Sequence, residues 1–387
     1  MNDNPLKKLE ALGQSVWLDY IRKDMFASGE LRRLIDEDGL HGITSNPSIF
    51  EKAIAESDLY DNDIYDLVQK KTDVKEIYET LSMKDVRDAA DEFRSVYEKT
   101  DGKDGYVSLE VNPHLAYNTP GTIEEAHRLW NTVNRPNIFI KVPATEEGLP
   151  AIQQLISEGI NINITLLFGL PRYRQVAEAY TAGIESRIDQ GMPVKNVASV
   201  ASFFLSRIDS VIDPIEQTYA ASVGEQAHFA TSIKGQVAIS SAKIAYTIYE
   251  EIFESKEFDK LADQGARPQR LLWASTGTKN HDYSDIKYIE AVIGKNTINT
   301  IPPDTLNAYR LHGKPALRIK DHIKRACWVM SELTELGIDI DSITKKLETD
   351  GVEKFIKAFD KLMETLKKNH YRKKVRNIQK TMNLNIG

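Results

Sequence analysis

Eight short apolar runs, each followed by a segment of helical period, constrain this 387-residue chain more than any other feature. They read SVWLDYI (15–21), GITSN (42–46), YVSLEVN (106–112), NIFIKVP (137–143), NINITLL (161–167), NVASVASFF (196–204), RLLWAST (270–276) and NTINTIP (296–302). Between them lie GELRRLIDED, TIEEAHRLWNTV, LPAIQQLISEG, PRYRQVAEAYTAGI and AISSAKIAYTIYEEIFES, all with helical spacing of apolar residues. Strands buried on both faces read as near-continuous apolar runs. Their alternation with helices calls for a parallel sheet whose crossovers are those helices. Eight such units are the number that closes into a (β/α)8 barrel. The rival is an open doubly wound sheet, which usually carries a glycine-rich phosphate turn after its first strand. Neither G-x-G-x-x-G nor G-x-x-x-x-G-K-[ST] occurs, and H-E-x-x-H is absent too. The expected fold class is therefore α/β, a single (β/α)8 barrel with additional helices after strand 2 and at the C-terminus.

The barrel is expected over residues 1–310, with a helical segment at 311–387 packed on it. Residues 51–105 are charged and helical in period, and should form extra helices on the outside. Beyond 310, LRIKDHIKRACWVMSELTELG and GVEKFIKAFDKLMETLKKNH are amphipathic and are expected to cover one end of the barrel. From about 367 the tail turns basic, with Lys367, Lys368, Arg372, Lys373, Lys374, Arg376 and Lys380. Cations suit a helix C-terminus and a solvated surface.

Composition excludes several classes of function. A formal net charge of −7 argues against a general nucleic-acid binder. The single cysteine, Cys327, permits no intrachain disulfide and no thiolate metal cluster, which fits a reducing compartment. The N-terminal MNDNPLKKLEALGQS has no apolar core, and no stretch is long and apolar enough to cross a membrane. A cytoplasmic enzyme that partners neither nucleic acid nor membrane is the expectation. Monomer and homodimer both stay open.

In a barrel the chemistry gathers at the carboxyl ends of the strands. Reading those ends gives Asp19, Asn46, Glu110, Lys141, the pair Asn163 and Thr165 on one face, Ser202 with Arg207 beyond it, and Lys279 in Thr276-Gly277-Thr278-Lys279. Each has a plain structural reading. Asp19 can be a turn or cap residue, and Asn46 before Pro47 an ordinary turn opener. Arg207 can pair with Asp209 or Asp213 on its own helix, and Lys279 can be a solvated loop lysine. Lys141, within the apolar run Ile138–Val142, can snorkel. As a set they make chemical sense. A desolvated lysine condenses with a ketone to a Schiff base, whose protonated form is an electron sink. Carboxylates move the protons. Neutral amides and hydroxyls hold sugar hydroxyls, and two cations on the last strands fall where barrels commonly bind phosphate. This pattern reads as Schiff-base aldol chemistry on a phosphorylated sugar, with no metal and no cofactor required.

The stretches ITSNPSIF (43–50), VSLEVNPHLAYNT (107–119), IFIKVPAT with GLPAI (138–152), EGININITLLF (158–168), SVASFFLSRID (199–209) and LLWASTGTKN (271–280) closely resemble transaldolases, in order along the chain. Length and extra helices resemble the longer bacterial subfamily. The resemblance implies a class I, metal-free barrel enzyme of the pentose phosphate pathway. Such an enzyme moves a dihydroxyacetone unit from sedoheptulose 7-phosphate to glyceraldehyde 3-phosphate, giving erythrose 4-phosphate and fructose 6-phosphate. It further implies Lys141 as the Schiff-base lysine, Asp19 as acid/base on the C4 hydroxyl, and Glu110 with Thr165 acting through a water. Asn46 and Asn163 would hold donor hydroxyls, and Ser202 and Arg207 the phosphate. Shorter transaldolases carry a second arginine where this chain has Lys279, a point charge without arginine's fork. Two other readings stay open: a fructose-6-phosphate aldolase that releases dihydroxyacetone, and a catalytically dead barrel kept for binding. The related aldolases tend to carry Gln at the position of Glu110 and Tyr at that of Phe204, so the resemblance favours transfer.

Overall fold

A computed structural model describes residues 4–221 and 224–384, with side chains up to Lys368 apart from that of Ala55. Eight parallel strands close into a barrel in sequence order: β1 (Gln14–Asp19), β2 (Leu40–Thr44), β3 (Tyr106–Glu110), β4 (Ile138–Pro143), β5 (Ile162–Leu167), β6 (Ser199–Phe204), β7 (Arg270–Ala274) and β8 (Thr297–Ile301). The (β/α)8 reading of the apolar runs therefore holds, and each run contains or overlaps one strand. Most strands are a residue or more shorter than their runs, trimmed at the carboxyl end in β1, β3 and β7 and at the front in β4 and β5. For β6 the trimming is at the front, where the Ala198 amide donates to the side chain of Asn161.

Local chemistry sets the helix starts. Asn46 accepts from the Ile49 amide and Pro47 opens the helix Pro47–Ala55; Asn118 does the same for Gly121 ahead of Thr119–Val133. After β4 the helix begins at Gly148, whose amide donates to the Thr145 hydroxyl three residues earlier.

Trp17, Tyr106 and Phe139 stack on one another inside the barrel, with centroids 4.3–6.4 Å apart. Gly42 on β2 makes room for them, since a Cβ there would lie 2.5 Å from the Trp17 indole. This aromatic layer separates the two ends of the barrel interior.

Between β2 and β3 run the helices Pro47–Ala55, Asp61–Gln69, Val74–Glu92 and Arg94–Lys99, as the charged helical segment implied. The helix Ile323–Glu335 lies against Val237–Phe253, and the long helix Ile340–Leu384 crosses the first three of the inserted helices. Lys361 pairs with Glu51 at 2.8 Å, and Phe359 sits edge-on to Tyr78 at 5.5 Å. Lys367 and Lys368 of the basic tail are exposed; the side chains of Arg372, Lys373, Lys374, Arg376 and Lys380 lie outside the described residues. No helix among the described residues is long and apolar enough to cross a membrane.

Candidate active site

Strand register places Glu110 beside Lys141 and Lys141 beside Asn163, across β3, β4 and β5. Lys141 is buried, and its Nζ donates to the Ser45 carbonyl at 3.1 Å. It stands 3.7 Å from Glu110 Oε2, close enough for strong attraction and too far for a hydrogen bond. Burial pushes the Glu110 carboxyl up to about 7, although the Lys141 cation pulls the other way. Neither Glu110 oxygen accepts a hydrogen bond, and the buried Thr165 hydroxyl is equally unpartnered. Buried polar atoms are nearly always partnered, so such atoms on the two strands that flank Lys141 mark a place built for groups that arrive with solvent or substrate.

Asp19 ends β1 beside Thr44, whose hydroxyl it accepts at 2.7 Å; the same hydroxyl meets Thr300 at 2.7 Å. Burial raises the Asp19 pKa, opposed by Lys141, then by the Thr44 bond, then by Lys279 and Arg207. A carboxyl held between such opposing influences is suited to take up and return a proton.

The pocket that Lys141 and Asp19 line has a volume of ≈ 170 Å³, and Asn46, Thr165, Ser202, Arg207 and Lys279 line it as well. Arg207 stands at the start of the helix Ser206–Ala220, 5.8 Å over the Phe204 ring, with its pKa lowered by burial. It makes no pair with Asp209 or Asp213. Asp209 instead takes Lys287, Tyr288 and the Ala238 amide, and Asp213 takes Tyr283. Lys279 is exposed at the pocket mouth and likewise unpaired among the described residues. Two uncommitted cations in one concavity suit a doubly charged anion.

The family described as transaldolase/fructose-6-phosphate aldolase matches residues 16–366. The chain is 46% identical over 370 residues to a transaldolase of Trichodesmium erythraeum, covering 95% of this chain and 97% of that one. Against a transaldolase of Thiobacillus denitrificans it is 44% identical, covering 93% and 99%. A transaldolase of Thermobifida fusca is 42% identical, covering 93% and 97%. The chain belongs to the transaldolase/fructose-6-phosphate aldolase family.

For this family member, seven of the nine residues singled out in the sequence line one pocket. The other two stand behind it. Glu110 reaches Lys141 from β3 and borders a small cleft with Tyr78, Glu125 and Phe359. Asn163 has both ends of its amide engaged, accepting from Ser202 at 2.7 Å and donating to Ser108 at 3.0 Å. Asn46 combines two roles: its carbonyl caps a helix, and its amide nitrogen has no hydrogen bond among the described residues.

Several lining residues escaped the sequence reading. Thr44 ends β2 and Thr300 lies one residue before the end of β8, so a rule that takes every polar residue near a strand terminus would have found them. Ser275 carries φ +53° and meets the Ser206 hydroxyl at 2.9 Å, a strained backbone that no composition signal reveals. Phe355 comes from the C-terminal helix, far along the chain.

Proposed function

We propose that this protein is a transferase that moves a dihydroxyacetone unit from sedoheptulose 7-phosphate to glyceraldehyde 3-phosphate through a Schiff base on Lys141. The products are erythrose 4-phosphate and fructose 6-phosphate. The observation that carries this reading is the buried Lys141 ammonium, 3.7 Å from a carboxyl raised to about 7, in a pocket shared with Asp19 and two unpaired cations. Family membership and relatives named transaldolase support the same reading.

The Lys141 ammonium first yields a proton to Glu110; the free amine attacks the ketose C2 carbonyl, and Glu110, with Thr165 and a water, returns protons as the carbinolamine loses water to the iminium. Asp19 then takes the proton of the C4 hydroxyl. The C3–C4 bond breaks, its electrons pass into the iminium to give an enamine, and the aldehyde leaves. The enamine carbon adds to the carbonyl of the acceptor aldehyde, Asp19 returns its proton to the new hydroxyl, and water releases the product from Lys141. Arg207 and Lys279, with Ser202, hold the phosphate, so remote binding energy orients the reacting carbons. Asn46 and Asn163 hold or position the hydroxyls of the three-carbon unit.

Reduction with borohydride in the presence of fructose 6-phosphate and no acceptor tests this directly. A three-carbon adduct on the peptide bearing Lys141 is expected, because a transferase retains the cleaved unit. Steady release of free dihydroxyacetone with no retained adduct would move the protein to the aldolase side of its family. An unmodified Lys141 in folded protein would end the proposal.

A further inference from the structure

The long helix Ile340–Leu384 lies across the carboxyl end of the barrel as a roof. On one side it touches β5 and the helix Ser206–Ala220, and on the other the helices Pro47–Ala55, Asp61–Gln69 and Val74–Glu92. Between these contacts lie β3 and β4, which carry Glu110 and Lys141, and the helix meets the turn Pro113–Leu115 just after β3. Gly351, Phe355 and Phe359 recur every four residues and so share one face of it. Gly351 lies so close to β5 that a Cβ would stand 3.0 Å from the side chain of Leu166, the neighbour of Thr165. One turn on, Phe355 is 4% exposed and lines the pocket together with Lys141, Asp19 and Thr165. Another turn on, Phe359 packs edge-on against Tyr78.

The roof is fastened on both sides of Phe355. Before it, buried Glu348 pairs with Arg172 at 3.4 Å, and Thr344 fits so tightly over Gly169 that its hydroxyl would be 2.8 Å from a Cβ there. After it, Asp360 meets His114 at 2.8 Å and Lys361 meets Glu51 at 2.8 Å. Phe355 is therefore held between fixed points. The loop after β7 is different, because Lys279 there is exposed. The pocket thus has an apolar ceiling over the half that holds Lys141 and an entrance on the half that holds the two unpaired cations.

On the transfer reading, on which this inference rests, cleavage of C3–C4 leaves an enamine on Lys141 while the first aldehyde departs. Water competes with the acceptor for that enamine. In the losing branch the enamine takes a proton at C3 and becomes an iminium, and water adds at C2 and gives a proton back. The C2–N bond then breaks, freeing dihydroxyacetone and the Lys141 amine. A buried ring gives water neither room nor a hydrogen bond, and a site closed to water protects such an intermediate. We propose that Phe355 is the residue that reserves the enamine for the acceptor: its ring shuts the helix side of the pocket, so that water and acceptor share one entrance, at Lys279.

The test supplies fructose 6-phosphate as donor and increasing erythrose 4-phosphate as acceptor, and counts free dihydroxyacetone against sedoheptulose 7-phosphate formed. In the wild type the released fraction should fall toward zero as the acceptor saturates, because acceptor in the shared entrance bars water. Phe355→Ala should release about tenfold more dihydroxyacetone per turnover, and part of that release should persist at saturating acceptor, since water then has an entrance of its own. Phe355→Leu should fall between the two, and it decides alone if a thermal melt shows Phe355→Ala unfolded. Lys361→Ala, which unfastens the helix from Glu51 and keeps the ring, should release no more than the wild type. An unchanged fraction in the folded Phe355 variant, a fraction in it that vanishes at saturating acceptor, or an equal rise in Lys361→Ala would each overturn the proposal. A wild type that forms no sedoheptulose 7-phosphate would instead overturn the transfer reading, so the two failures are distinct.

Discussion

Each end of the barrel interior holds a buried carboxylate beside a buried cation, and the two pairs are finished in opposite ways. At the amino end, Asp104 accepts from Ser15 at 2.7 Å, Trp17 at 3.3 Å and Arg270 at 3.1 Å. All four terminal donors of Arg270 are used. At the carboxyl end, Glu110 accepts nothing, and Lys141 donates once, to a backbone carbonyl. A buried pair repays its desolvation only when its remaining hydrogen-bonding capacity is met. The first pair meets that condition at every polar atom except Arg270 Nε, and it holds the strand starts together. The second does not, and its unspent capacity is what a bound substrate and water can use. Charge alone does not separate a structural pair from a reactive one; the completeness of its hydrogen bonding does.

The largest expected effect tests that distinction at the incomplete pair. Glu110→Gln should lower kcat/KM by about 10²–10⁴, the range for losing a positioned acid/base. In the wild type, kcat/KM should rise with pH through about 7, where Glu110 ionises, and Glu110→Gln should lose that limb. Stability should respond as well. The folded pKa of about 7 lies above the ordinary 4.5, so the native state keeps a proton that the unfolded chain gives up. The resulting stabilisation is fully present below about 4.5 and is lost as pH rises to about 7. Denaturation at acid and alkaline pH should therefore show Glu110→Gln gaining on the wild type as pH rises. An unchanged difference would mean that the carboxyl is not held neutral by the fold.

At the completed pair the balance reverses. Asp104→Ala leaves Arg270 buried with its charge uncompensated and should cost ~3–5 kcal/mol of stability. Molecules that remain folded should still trap a Schiff base at Lys141. Loss of trapping without loss of stability would show that the amino-end pair takes part in chemistry, and the contrast between the ends would break.

The same contrast governs what could be read from the sequence. The barrel was legible because strands buried on both faces carry long apolar runs, and eight of them alternate with helices. The carboxyl end was legible because polar residues interrupt those runs, as Lys141 does between Ile140 and Val142. The amino end was not. Ser15, Asp104 and Arg270 come from three separated places, and each looks like an ordinary residue at the start of a strand or in the turn before it. Phe355 was hidden for a related reason: an aromatic residue on an amphipathic helix reads as core, and only tertiary packing carries it to the pocket that Lys141 lines. Asn163 was placed on the correct face, yet its amide is shared between Ser202 and Ser108, a consequence of side chains from β3, β5 and β6 meeting inside the closed barrel.

A smaller effect sharpens the comparison at the level of single charges. Lys279 is exposed, unpaired among the described residues and at the mouth of the pocket that Lys141 lines, and with Arg207 it adds to the positive charge of Lys141 at that end. Truncation leaves no buried partner stranded, so stability should change little. What should change is the hold on a phosphate. Lys279→Ala is expected to raise KM for fructose 6-phosphate about tenfold, in keeping with loss of one charge-assisted contact. Trapping of unphosphorylated dihydroxyacetone on Lys141 should be unaffected, because that ligand has no group at the distance Lys279 serves. Equal losses with both ligands would instead assign Lys279 an influence on Lys141 itself, through the field that already reaches Asp19. An unchanged KM would leave Arg207, with the Ser202 hydroxyl and the strained Ser275 turn, to carry the phosphate without it.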